Sequence, residues 1–248
     1  MLKQNTNSNN KKHLDIIDVA RGFSILLMFI YHFSYDLDYY GFVNINFTTD
    51  SFWLNFRTLI VTLFLCIMGI SLYLASYRGL HKKSFQKRLM LLITYSLIVS
   101  ISSWVMFPKA MIFFGILHFI TVASVLGLLF VRFKLVNLFL GMSFILIGQF
   151  IELPIFNHAY LQWFGLMTTL PIAVDYVPLL PWFGVVLIGM YLGQLLSQQP
   201  AGSFFQSWKS HHPVSHVLAL GGRHSLHIYM LHQPLFLGIL YIISLIIG

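Results

Sequence analysis

Charge is the scarcest property of this chain. Of 248 residues only 9% are Asp, Glu, Lys or Arg, and the acids number seven. A soluble domain of this length carries charge on about a quarter of its residues, so a soluble globular fold is excluded. Cysteine is nearly absent. The lone Cys66 rules out an intrachain disulfide and reads as a small buried thiol within an apolar run. No internal repeat, low-complexity tract or separate soluble domain is visible. The first apolar run is too long for a removable signal peptide and lacks a small-residue cleavage site, so the first helix is expected to stay.

What is present is hydrophobic. The chain is 58% apolar, with 24 Phe, 12 Tyr and a mean hydropathy of +0.79. This composition predicts an all-α, polytopic membrane helix bundle. A span needs about 20 mostly apolar residues. Seven are expected, at roughly 15–35, 52–76, 89–107, 111–131, 135–151, 178–197 and 222–246. Residues 153–177 are semi-apolar and broken by prolines, and predict an external loop with a short interfacial or re-entrant segment. Residues 1–13 form a polar tail, expected to be disordered and cytoplasmic. Residues 14–248 then make a single transmembrane domain.

The net charge of +8 would point a soluble protein toward nucleic acid. Here it follows topology instead, and no nucleic-acid partner is expected. With the N-terminus in the cytoplasm, twelve Lys and Arg residues fall on inner segments and only Arg57 and Lys109 on outer ones. Basic residues kept inside fix orientation. The reading is therefore a multi-pass protein of the inner (cytoplasmic) membrane with an external C-terminus. Asp36, Asp38, Asp50, Glu152 and Asp175 all fall outside, an acidic rim whose sign would attract an amino sugar.

The first apolar helix, "DVARGFSILLMFIYHFSYDL", keeps Arg21 and His32. Eleven residues at 100° each return to within about 20° of the same face, and separate the two side chains by about 16 Å along the axis. Asp18 lies three residues before Arg21 and Asp36 four after His32, so each cation candidate has a carboxylate neighbour on its face. Taken singly, Arg21 could snorkel and His32 could be a satisfied core histidine. Ionisable residues inside a membrane are nonetheless functional candidates, and two on one stripe describe a polar track through most of the bilayer.

Other segments add polar groups. His118 in "GILHFITVAS" falls about 10 Å below the outer surface. In "GRHSLHIYMLHQPLF", Ser225, Tyr229 and His232 share a face at i, i+4 and i+7, while Arg223 and His224 stand level with Arg21. Pro234 adds a kink, and its missing N–H frees a carbonyl that a cavity or side chain must satisfy. Pro178 and Pro181 suit a helix start, where Asp175 would cap. Gly189 and Gly193 form a small-xxx-small pair suited to packing within the bundle. Arg57 sits on the outer shoulder of the second span, facing Asp36 or Asp38 or snorkelling. His211, His212 and His216 lie on a polar inner loop without a closed ligand set, and no metal is expected.

Five stretches in order, "DVARGFSILLMFIYHFSYDL", "FLCIMGISLYLAS", "GILHFITVASVLGLLF", "DYVPLLPWFGVVLIGMYLG" and "GRHSLHIYMLHQPLF", resemble bacterial members of the heparan-alpha-glucosaminide N-acetyltransferase catalytic-domain family. The resemblance covers about residues 14–245. The spacing of Arg21 and His32 is also similar to a signature of the wider membrane acyltransferase superfamily. The resemblance implies transfer of an acetyl group from cytosolic acetyl-CoA to a sugar amine or hydroxyl on the far side of the membrane. Arg21, Arg223 and the basic loop "YRGLHKKSFQKR" would hold the donor's phosphates, with His224, Ser225 and Tyr229 beside them. His32 would serve as base with Asp36 holding its ring, while His118 and His232 position the donor or stabilise an oxyanion. One departure stands out: "YDLDYYGFVNINFTTDSFW" has no histidine, where eukaryotic members place a catalytic one. Direct transfer and an acyl-histidine both remain open.

The chain is shorter than the eukaryotic members, so a homo-oligomer or partner is a further expectation. Two other classes compete with a glycan acetyltransferase. One is a carrier or channel using the same polar track, although no paired repeat is seen. The other is a non-catalytic component of a polysaccharide assembly complex.

Overall fold

The computed structural model describes residues 14–106, 108–171, 175–200, 203–210 and 212–247. The expected tail 1–13 and His211 lie outside the described residues. Helices account for the regular structure, and no strand occurs among the described residues. They are α1 (Asp15–Tyr39), α2 (Ser51–Tyr77), α3 (Lys82–Met106), α4 (Ile116–Phe130), α5 (Val136–Phe150), α6 (Leu179–Ser197), α7 (Phe204–Ser207), α8 (Pro213–Arg223) and α9 (Ser225–Ile247).

Among the described residues, five helices are long and apolar enough to cross a bilayer: α1, α2, α3, α6 and α9. Large apolar side chains such as Phe23, Leu26 and Ile30 stay exposed on their outer faces, as lipid contact requires. The chain is a multi-pass, all-helical membrane protein. The segments expected to give spans at 111–131 and 135–151 contain α4 and α5, of 15 residues each. At 1.5 Å per residue each measures about 22 Å, against a hydrocarbon core of about 30 Å. They are short because residues 111–115 stay non-helical before α4, and a turn intervenes before α5.

Close backbone approach sets the packing. Gly189 and Gly193 of α6 meet the backbones of Cys66 and Ile70 on α2, where an added methyl would collide. The small-residue pair therefore serves packing inside the bundle. Cys66 itself is half-buried. A second seam joins α1 to α8. Gly22 abuts the Leu218 carbonyl and Gly222 abuts the Asp18 carbonyl, so the two helices run antiparallel. Most of helix α8 occupies the stretch expected to be a polar inner loop. Its start follows from His212, whose ring accepts from the Val214 amide at 3.3 Å, and from Pro213 in the first turn.

The chain then breaks at His224, and α9 runs parallel to α1. Tyr229 packs on the Ile25–Met28 cluster, His232 on Phe29, and the Leu237 carbonyl accepts from Tyr40 at 3.3 Å. Residues 153–177 form no α-helix among their described members, but two 3-10 turns at Pro154–Asn157 and Gln162–Phe164. Their end is tied down by the Val177 amide donating to the Phe114 carbonyl at 3.3 Å.

The seams carry a stability prediction. Gly222→Leu must push α8 off α1, and overpacking of this kind costs about 1–3 kcal/mol or more. Gly238→Leu, where no atom lies within 4 Å of the new side chain's first carbon, should be nearly neutral. Thermal unfolding of the detergent-solubilised protein compares the two; equal midpoints would show that the seam is loose.

Candidate active site

A cavity of about 620 Å³ runs between α1, α2, α3, α4, α6 and α9, and reaches the end of α5. Arg21, Arg88 and Ser225 line it at one end, and Tyr31, His32, Arg57 and Gln149 at the other. Its middle is apolar, with Met28, Phe64, Met68, Leu92 and Ile120. The helical stripe drawn through Arg21 and His32 thus faces one shared space.

At the Arg21 end, charges interlock. Arg21 donates to Ser71 Oγ at 2.7 Å, to the Gly222 carbonyl at 3.3 Å and to Asp18 Oδ1 at 3.4 Å. Asp18 is 2% exposed, and its other oxygen accepts from Arg223 Nε at 3.0 Å. Arg223 also reaches Asp15 Oδ1 at 3.2 Å. Arg223 and His224, expected beside the donor, therefore do not line the cavity. The reason is the break at His224: Arg223 ends α8, which packs on the Asp18 face of α1, and the His224 ring instead meets the Leu220 carbonyl at 3.1 Å. Ser225, the first residue of α9, and Tyr229, about one turn further on, do line it. Arg88 was read as part of a basic loop. It lies almost two turns inside α3, near enough to Arg21 to feel its charge, and makes no hydrogen bond or ion pair among the described residues.

At the opposite end, His32 lines the cavity and makes no hydrogen bond among the described residues. Its ring centroid lies 5.0 Å from that of His232. His232 is 5% exposed and stacks on Phe29 at 5.7 Å. Its Nδ1 contacts the Tyr229 carbonyl at 2.6 Å. A carbonyl only accepts, so Nδ1 carries the proton and Nε2 the lone pair. That Nε2 is buried without a partner.

Asp36 does not hold the His32 ring as expected. It is 1% exposed, and Oδ1 accepts from Gln233 Nε2 at 2.7 Å. The face of α1 beyond His32 is covered by α9, which brings Gln233 rather than an imidazole. Asp36 Oδ2, His232 Nε2 and Gln233 Oε1 all lack hydrogen-bond partners among the described residues, and such buried groups call for an explanation such as a catalytic role or a bound water.

His118 stands apart. Its Nε2 meets Ser100 Oγ at 3.0 Å, the Gly115 amide donates to its Nδ1 at 3.3 Å, and it is absent from the cavity lining. The ring closes the start of α4. Asp175 caps too, but not α6: Oδ2 accepts from the Ile116 amide of α4 at 3.2 Å and from the Tyr229 hydroxyl at 2.9 Å. Burial pushes its carboxyl above the usual carboxylate range, opposed by the Tyr229 hydroxyl, the Ile116 amide and the Arg57 charge.

Of the acidic rim, Asp175 alone is among the lining residues. Asp38 accepts from the Ile45 amide at 2.8 Å and Asp50 caps α2 through the Phe52 amide at 2.8 Å. Asp175 is the only carboxylate among the lining residues, against Arg21, Arg57 and Arg88. Among the described residues no group of three or more His, Cys, Asp or Glu is gathered to hold a metal.

Comparison with curated proteins finds no match, and comparison with solved structures finds none either. The family described as "Heparan-alpha-glucosaminide N-acetyltransferase, catalytic" matches residues 13–234. That range takes in every cavity, histidine and arginine position named above. A chain with this match over nearly its whole length, and with Arg21 and His32 opening into one intramembrane cavity, belongs to the heparan-alpha-glucosaminide N-acetyltransferase catalytic family of membrane acetyltransferases.

Proposed function

We propose that the protein moves an acetyl group from cytosolic acetyl-CoA to a hydroxyl or amine of a glycan on the outer side of the inner membrane. The observation that carries this reading is the one cavity with guanidinium groups at the Arg21 end and an unbonded imidazole at the other. The charge map supports the direction, with the N-terminus and the Arg21 end cytoplasmic and seven segments, counting α4 and α5, crossing in turn.

The lining fits such a donor. Arg88, unpaired among the described residues, offers a planar fork for phosphate oxygens, and Arg21 adds positive charge beside it. The apolar middle suits an extended, uncharged arm. Acetyl-CoA supplies an activated acyl group; the chain's own residues supply position and proton transfer.

His32 is the base of this proposal. As the acceptor's oxygen or nitrogen lone pair bonds to the acyl carbon, its proton passes to the His32 ring. The C–S bond breaks, and the departing thiolate takes up one proton, so no net charge is made. His232, with Nδ1–H held by the Tyr229 carbonyl, keeps a second imidazole beside the base, its ring centroid 5.0 Å from that of His32. Asp36 adds negative charge one turn away while Gln233 fixes its rotamer.

Three outcomes test this. Acetyl-CoA should raise the unfolding temperature of the solubilised protein, since a ligand of the folded state stabilises by mass action; no shift removes the donor site. His32→Ala should lower acetyl transfer by about 10²-fold or more, the range for loss of a general base, while retaining that thermal shift. Unaltered transfer would exclude His32. Arg88→Gln should raise KM for acetyl-CoA about tenfold, as loss of a hydrogen bond to a charged group costs roughly 1.5–3 kcal/mol, with kcat little changed. An unchanged KM would move the phosphates elsewhere.

A further inference from the structure

We propose that the outer mouth of the cavity selects an acceptor bearing an oxyanion, a carboxylate or phosphate, with Arg57 as the residue that recognises it. The proposal rests on the acetyltransferase reading for the acceptor's role, but its binding test does not need transfer. Arg57 lies two turns into α2 and lines the cavity on the same end as His32. It makes no hydrogen bond or ion pair among the described residues. The acids around it bond to other groups, and none of them pairs with Arg57. Asp36 is bound to Gln233, Asp38 to the Ile45 amide and Asp50 to the Phe52 amide. Asp175 shares the lining and the field of Arg57, yet its Oδ2 takes the Tyr229 hydroxyl and the Ile116 amide, and it forms no ion pair with Arg57.

An open guanidinium presents a rigid fork that matches a carboxylate or phosphate with two parallel hydrogen bonds. Thr58 and Gln149 stand in the same lining and can meet the neighbouring hydroxyls of a sugar. The amide of Gln149 has no partner among the described residues. A cationic amino sugar without an acid would meet Arg57 as a like charge. The group to be acylated and the oxyanion therefore belong to one acceptor, the first near His32 and the second at Arg57.

The test uses the full chain in maltoside micelles without added phospholipid. Millimolar glucuronate and glucose 6-phosphate are the probes, with glucose and glucosamine as comparators, and thermal unfolding is the readout. The anionic sugars should raise the midpoint of the wild type and of Arg88→Gln. The shift should be absent from Arg57→Gln and reduced in Arg57→Lys, which keeps the charge without the fork and guards against a folding defect. Where transfer is measured, Arg57→Gln should raise KM for an anionic acceptor at least tenfold more than for a neutral one. The proposal is overturned by no shift with either anionic sugar, by an equal shift with glucosamine, or by a response lost in Arg88→Gln but kept in Arg57→Gln. Phosphatidylglycerol titrated in should leave the sugar response intact. If it removes the response, Arg57 holds a lipid headgroup and the acceptor assignment fails. Acetyl-CoA in the same assay reports on the donor alone, so loss of the donor reading and loss of this one are separately visible.

Discussion

A guanidinium within a bilayer must find partners in protein or water, because hydrocarbon offers none. Arg21 meets that demand through Asp18, Ser71 and the Gly222 carbonyl, which lie on three different helices. Asp18 bonds Arg223 as well, so a single buried carboxylate bridges two cations and clamps α8 against α1. The glycine seam follows from the clamp, since only Gly22 and Gly222 let the backbones come close enough for Arg21 to reach the Gly222 carbonyl. Reversal of the chain at His224 then sends α9 back along α1 with Tyr229, His232 and Gln233 at the depths the site requires. Removing the Asp18 carboxylate would leave two buried or half-buried charges without their shared partner, a change that generally costs more than an intact pair contributes.

The site's two ends differ in how their charge is managed. Around Arg21 the arginines and aspartates compensate one another, which leaves Arg88 as the open cation. Around His32 the acids are bound to backbone amides or to Gln233, which leaves Arg57 open. Each end therefore keeps one guanidinium available to a ligand, with an apolar corridor between. This arrangement keeps the guanidinium charges at the two ends and away from the apolar middle, where they would be most costly.

Much of this was legible in the sequence wherever one helix carries the whole pattern. The Arg21–His32 stripe and the Ser225–Tyr229 face need only the helical repeat, and both open into the cavity. What stayed hidden depends on register between helices, which periodicity does not encode. Asp36 has His32 one turn away in sequence, yet α9 delivers Gln233 to it. Asp175 precedes α6 but caps α4, because the loop folds back before α6 begins. His118 sits at helical depth like a ligand and turns out to be tied to Ser100 and Gly115. Helix α8 was missed because eleven residues fall below the length that a span search notices, although His212 and Pro213 mark its start.

The brevity of α4 and α5 reaches beyond their own packing. Crossing the bilayer as the proposed seven-span topology requires, two apolar rods of about 22 Å beside neighbours that match a hydrocarbon slab of about 30 Å would leave a notch of about 8 Å on that flank. Lipid tails next to such a notch would shorten or tilt, and headgroups and water would sink toward the protein. Gly148 and Gln149, near the end of α5, border the cavity, so one end of it lies beside this shortened flank. Bilayer thickness becomes a variable of the machine, as much as any side chain inside it.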